Sequence, residues 1–191
     1  SENDNAANIE YPALDGRIRD TYAAASNATL QKALYDSYVR AIRWASDRIG
    51  DAGIMAYVTN AGWIDGNATD GLRKCLATEF SDLYVFHLLG NARTSGETRV
   101  FGEGTRTPVA IYVFVKNPNA TKNGQVRFHD IGDYLDQKQK LDIIRDFGSL
   151  DGITKAKGWR QVTPDKQNDW LNQVDASFDR FPEIGNKRSP T

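Results

Sequence analysis

The chain has 191 residues, one cysteine, two histidines and a formal net charge of −1. That length is one domain, or one domain with an appendage, and it buries a core without covalent staples. Lone Cys75 excludes an intrachain disulfide, and with only His87 and His129 beside it a Cys/His zinc site within one chain is all but excluded. A charge near zero confines any nucleic-acid binding to a local patch. The longest apolar run, Val109 to Val115, has seven residues, far short of the ~20 that a membrane helix needs. The start, Ser-Glu-Asn-Asp-Asn, carries no signal segment. It reads as a cut inside a longer, cytoplasmic protein.

Residues 1–11 are polar and read as a loop. Pro12 to Ala24 sets Leu14, Ile18 and Tyr22 four apart, with Pro12 suited to a first helical position. From Thr29 to Ile49 the residues Leu30, Leu34, Tyr38, Ala41, Ile42, Ala45 and Ile49 keep one face, and Arg40, Arg43, Asp47 and Arg48 fall mainly off it. Gly50 is the natural stop. Gly53 to Thr59 is a nearly continuous apolar run, which suits a strand covered on both faces. A Gly-containing loop over 60–67 leads to a helix on which Leu72, Cys75, Leu76 and Phe80 share a face. Leu83 to Leu89 and Pro108 to Lys116 follow as strands. No helix separates them, so the simplest pairing is antiparallel, at the end of a mostly parallel α/β sheet. Gln125 to Ile131 reads as a short strand and Asp136 to Phe147 as a helix. Thr163-Pro164-Asp165 predicts a last helix to about Val174, with Trp170, Leu171 and Val174 inward. There is no internal repeat and no low-complexity tract.

Several signals point to little. Asn-Ala-Thr occurs at Asn27, Asn67 and Asn119, but nothing marks the chain as secreted. Gly102-Glu103-Gly104-Thr105 lacks the Lys-Ser/Thr ending of a phosphate loop. Asp130 and Asp133 read as solvated strand-end carboxylates, His129 as a half-buried strand residue and His87 as a core or edge histidine. The segment between the two paired strands is different. Gly90 to Thr107 spans 18 residues with four Gly and three Arg, and structureless loops beyond ~12–15 residues are usually functional or disordered. Ligands of α/β sheets bind beyond the carboxyl ends of strands. One such end carries Thr59, Asn60 and Trp63, and the other opens the long loop. Arg93, Arg99 and Arg106, with Lys116 after the next strand and against Glu97 and Glu103, give Ala92 to Lys116 a charge of +2 and suit phosphate contacts. Phe101 is either an apolar anchor for the loop or a ring that stacks on a base. Arg73, on its helix, is either structural or a further phosphate contact.

These segments carry a family resemblance. The order Gly53 to Asn60, Leu72-Arg73-Lys74, Leu83 to Asn91, Val100-Phe101 and Pro108 to Lys116 resembles the later motifs of amino-methylating DNA adenine methyltransferases. Leu34 to Ala45, Gly90-Asn91-Ala92-Arg93 and Phe128 to Leu135 are similar to the methyltransferase region of the large restriction–modification enzymes termed type ISP, whose chains also carry nuclease and helicase regions. The likeness runs from residue 1 to about residue 180. It implies the C-terminal half of a Rossmann-like methyltransferase that uses S-adenosylmethionine (AdoMet), with a terminal antiparallel strand pair and a helical extension. It divides the chain into a methyltransferase part over 1–118 and an α/β extension over 119–191 that leads toward a target-recognition region.

The chemistry the resemblance implies is methyl transfer to the exocyclic N6 of adenine. In the family an Asn-Pro-Pro-Tyr motif accepts hydrogen bonds from that amine and stacks on a flipped base. A second aromatic packs on the base, and Phe101 matches it. Neither Asn-Pro-Pro-Tyr nor a glycine-containing AdoMet loop occurs in this sequence. Both are expected before Ser1, so no catalytic residue is assigned, AdoMet is expected only in the parent protein, and the fragment is expected to be inactive alone. Expected partners are DNA and the upstream helicase and methyltransferase segments, with no membrane and no metal. The competing readings are a DNA-binding module without chemistry and an inter-domain docking module, the latter favoured if Trp159 and Trp170 are exposed.

Overall fold

The computed structural model describes residues 10–90, residue 100 and residues 107–173. Pro12 starts helix α1 (Pro12–Ile18), which runs on into a single π turn at Arg19–Ala23. Helix α2 spans Ser37–Arg48, strand β1 Gly53–Asn60, helix α3 Asp70–Glu79 and strand β2 Asp82–His87. Strand β3 (Val109–Lys116), strand β4 (Gln125–Asp130), helices α4 (Gln137–Phe147) and α5 (Leu150–Lys155) and the short strand β5 (Arg160–Val162) complete the order.

Five strands form one mixed sheet in the order β1-β3-β2-β4-β5. The reversed strand of the expected antiparallel pair, β3, is internal to the sheet and not terminal. β3 lies antiparallel between β1 and β2, with Met55 opposite Phe114 and Leu83 opposite Phe114. β1 and β2 are therefore parallel to each other, and β4 is parallel to β2. Their carboxyl ends share one edge. β5 closes the far side antiparallel to β4.

The period-two alternation of each strand sends two sets of side chains to opposite faces. Met55, Leu83, Val85, Tyr112, Phe114, Val126 and Phe128 pack with Ile18, Tyr22, Ile42, Leu72 and Leu76 from the helices before and between the strands. On the other face Phe86, Val109 and Ile111 pack with Ile143, Ile144, Phe147 and Ile153 from α4 and α5. The second cover is incomplete. Ile54 and Val58 on β1 are 66% and 52% exposed, although the apolar run predicts a strand buried on both faces. Among the described residues β1 pairs on one side only.

The helix expected over 29–49 is broken. Lys32–Tyr35 forms a 3₁₀ turn, Asp36 is extended, and only Ser37–Arg48 is α-helical. Leu30, counted on the buried face, is exposed. Arg43, counted off that face, is buried, with paired hydrogen bonds to Glu79 (2.7 and 3.0 Å) and a 2.7 Å ion pair to Asp47. Gly71 lets α3 approach α1 closely: a Cβ there would lie 2.0 Å from the Tyr22 carbonyl oxygen. The α4 prediction holds, with Asp136 as N-cap, Gln139 completing a capping box, and Gly148 as the left-handed stop. The helix expected from Thr163 does not form over the described residues. Asp165 accepts from the backbone of Gln167 and Asp169, and Asn168 and Asn172 turn left-handed, which ends helical propagation. Trp170 points inward as expected.

Candidate nucleic-acid interface

The parallel ends of β1, β2 and β4 bring Asn60, His87 and Asp130 to one sheet edge, and β3 begins there. The loop between β2 and β3 therefore leaves and returns at this edge. Its base is closed by backbone bonds from Leu88 N to Val109 O (2.9 Å) and from Val109 N to Leu89 O (3.1 Å), and Ala61 N donates to Pro108 O (2.8 Å). Leu89 and Gly90 both take left-handed backbone angles as the chain turns away. Two side chains of α4 hold the loop from one side. The buried Lys140 ammonium donates to Leu88 O (2.8 Å), and Gln137 Nε2 donates to Val100 O (2.7 Å). Val100 itself is buried in the second core. Phe101, Arg93, Arg99 and Arg106 lie outside the described residues.

The remaining sequence-predicted residues separate. Thr59 Oγ1 meets Tyr112 Oη at 3.2 Å, and Asn60 Oδ1 accepts from Gly62 N at 2.7 Å, so both are engaged in shaping the strand end. Trp63 is fully buried, edge-on to Tyr112, Phe114 and Trp170 at 5.4–5.9 Å between ring centres. Such rings contribute about 0.5–1.5 kcal/mol per pair beyond their buried area, and Trp63 is core rather than a surface contact. Arg73 is fully buried too. Its guanidinium donates to the carbonyls of Trp63 (3.0 Å), Gly66 (2.8 Å) and Asn168 (2.8 Å), and pairs with Asp169. The structural role is the one its geometry supports, since no donor faces a phosphate outside. Lys116 is a correction. β3 runs away from the loop, so Lys116 ends at the opposite edge, donating to Ser46 O at 2.8 Å. Without it, the three arginines against Glu97 and Glu103 leave the loop at +1.

Sequence reasoning missed a cleft of about 610 Å³ at the same edge, lined by His87, Phe128, Asp130, Arg160, Gln161 and Trp170. His87 Nδ1 lies 3.6 Å from Asp130 Oδ2. That neighbour, with the Gly132 backbone N–H, holds the Asp130 carboxyl below its ordinary value. Arg160 lies over the Phe128 ring at 5.3 Å. It went unforeseen because β5 is only three residues long.

The mixed sheet and this loop-bearing edge define an α/β segment that matches part of the type ISP restriction–modification enzymes. One match is a nuclease-deletion mutant of the type ISP enzyme LlaGI in complex with a DNA substrate mimic, 44% identical over 93% of this chain, TM-score 0.86. Another is the ATP-dependent type ISP enzyme LlaBIII bound to DNA, 36% identical over the whole chain, TM-score 0.88. A third is DrdV in complex with DNA, 35% identical over 94% of this chain, TM-score 0.80. The chain spans 17%, 13% and 17% of those three chains. No family model matches it, and no curated protein matches it.

Proposed function

We propose that the chain is the C-terminal half of the methyltransferase unit of a type ISP-like restriction–modification enzyme, specific for adenine N6, which contributes DNA and target-base contacts and is inactive alone. The observation that carries this reading is 44% identity across 93% of the chain to a type ISP enzyme solved on a DNA mimic. Two structural features support it. The reversed strand between two parallel ones suits the closing strands of a Rossmann-like methyltransferase sheet. The unpaired side of β1, with Ile54 and Val58 uncovered, leaves room for the sheet to continue into a preceding half.

The described residues do not fit AdoMet. Thr59 and Asn60 at the strand end already bond to Tyr112 and Gly62, Trp63 is in the core, and the glycine-containing turn from β1 to α3 has its Gly62 N–H bonded by Asn60 and its Gly66 carbonyl bonded by Thr69 and Arg73. No chemical step is therefore assigned to this chain. The docking-module reading loses the support of Trp170, which is 3% exposed, while Trp159 is half-buried against the second core.

Two titrations of the 191-residue chain test the proposal. Calorimetry with AdoMet is expected to give no appreciable binding, and micromolar affinity contradicts the assignment. Duplex DNA is expected to bind with strong salt dependence, weakened when Arg93, Arg99 and Arg106 are changed to Ala. No binding at low salt contradicts the contribution to DNA contacts.

A further inference from the structure

We infer that Tyr134 is a nucleobase-stacking contact at the carboxyl edge of the sheet, an inference that rests on the DNA-binding reading above and adds a residue to it. Tyr134 follows β4 in the turn over 131–136 and is 84% exposed, more than any other large apolar or aromatic side chain described. Its φ is +60°, a left-handed conformation that Gly or Asn takes readily and that a bulky ring disfavours. A turn that only had to close would be better served by either of those residues.

The turn holds this conformation because both flanks are pinned. Ile131 is buried, its N–H donates to His87 O (3.0 Å), and Gly132 N donates to Asp130 Oδ1 (2.8 Å). On the other side Leu135 packs in the second core, and Asp136 and Gln139 close the capping box of α4. Between two inward aliphatic anchors, Tyr134 and Asp133 face out, and Tyr134 is the aromatic one. The helix that follows begins three residues after the ring, at Gln137, whose Nε2 donates to the carbonyl of Val100 at 2.7 Å.

The local charge selects the ligand class. Asp133 and Asp136 flank the ring and are exposed, and Lys138 is paired with Asp142 at 2.6 Å. A phosphate is repelled here. What the turn offers a nucleic acid is therefore the ring face and not a phosphate contact, and an exposed ring and a base stack without sequence preference.

The test compares duplex and single-stranded DNA binding by the full chain with that of Tyr134→Ala, Tyr134→Trp and Tyr134→Gly across a salt series. Loss of one stacked base weakens Tyr134→Ala and Tyr134→Gly about 5- to 150-fold on at least one substrate. Tyr134→Trp binds within about 3-fold of the parent chain, and the slope of log K against log salt is unchanged throughout, because no phosphate contact is lost. Tyr134→Gly, freed of the left-handed strain, melts no lower than the parent chain. Equal affinity of Tyr134→Ala and the parent chain overturns the stacking role and leaves the DNA-binding reading intact. A lowered salt slope, or a Tyr134→Trp as weak as Tyr134→Ala, overturns it in favour of a phosphate contact or a scaffold. Failure of the parent chain to bind any DNA at low salt overturns both readings.

Discussion

Changing Arg73 to Ala separates a buried clamp from a DNA contact. The guanidinium joins the loop after β1, the start of α3 and the turn at Asn168, which lies 95 residues away in sequence. Burial opposes charge on both partners: desolvation pulls the Arg73 guanidinium down from its ordinary value and pushes the Asp169 carboxyl up, while their mutual attraction works against each shift. The ion pair itself is therefore weakly stabilising. The cost of truncation comes from what is left behind: three carbonyls without their donor and a half-buried Asp169 without its cation. Breaking a buried pair costs about 3–5 kcal/mol, out of a total stability of about 5–15 kcal/mol. At about 2–4 °C per kcal/mol for a chain of this size, the melting temperature falls by at least about 6 °C. Urea unfolding followed by the fluorescence of Trp63 and Trp170, which sit in the same cluster, reads this directly. Asp169→Asn keeps an acceptor oxygen but leaves the buried Arg73 cation without its anion, and it is expected to cost less than Arg73→Ala because the three carbonyl acceptors remain. An Arg73→Ala loss below about 1 kcal/mol, or a fall in the DNA salt slope with unchanged stability, refutes the clamp.

Three more outcomes follow from particular contacts. Arg40 grips both Asp15 oxygens at 2.7 and 3.0 Å and holds that carboxyl below its ordinary value of 3.8. The unfolded chain thus takes up this proton first. The pair's stabilisation is complete above that pKa and is lost as pH falls from 3.8 toward the folded value. Asp15→Asn should remove this part of the acid loss, as measured by unfolding as the pH is lowered through 3.8 and below; an unchanged acid limb contradicts it. Gly71→Ala gains up to about 1 kcal/mol of helix propensity, but its Cβ would lie 2.0 Å from Tyr22 O. A net loss of melting temperature is expected, and a gain means that α1 and α3 separate freely. Ile54→Lys with Val58→Lys should reduce concentration-dependent self-association in sedimentation without lowering stability, since both side chains already face water. A destabilised double variant would mean that this face is covered.

Period and punctuation made much of the fold legible. β1, β3, β4, α3 and α4 sit within a residue or two of their expected bounds, because each has a clear apolar pattern and most have a local stop. What failed was non-local. Arg73 and Arg43 look like surface cations until the chain folds carbonyls and Glu79 around them. Lys116 joined the loop arginines only on the assumption that its strand end lay near them, and the direction of β3 removes it. Asp36 breaks a face that looked continuous, and the left-handed Asn168 and Asn172 stop a helix that Thr163-Pro164-Asp165 announced. At the candidate interface, the long loop was recognised by its length and composition. The cleft beside it was not, because β5 is too short to leave a periodic signal. The Tyr134 turn gave no signal beyond Gly132, since a left-handed tyrosine is visible only in the backbone.

The central claim is tested most directly by transfer of labelled methyl from AdoMet to adenine N6 in DNA, using a longer protein that carries this segment and its Phe101→Ala variant. The account predicts methylation by the parent and, in the variant, a loss of methylation larger than the loss of DNA binding, because a flipped base loses one of its two stacking partners. No adenine methylation by the longer protein would contradict the methyltransferase assignment, and equal loss of methylation and binding would make Phe101 scaffold.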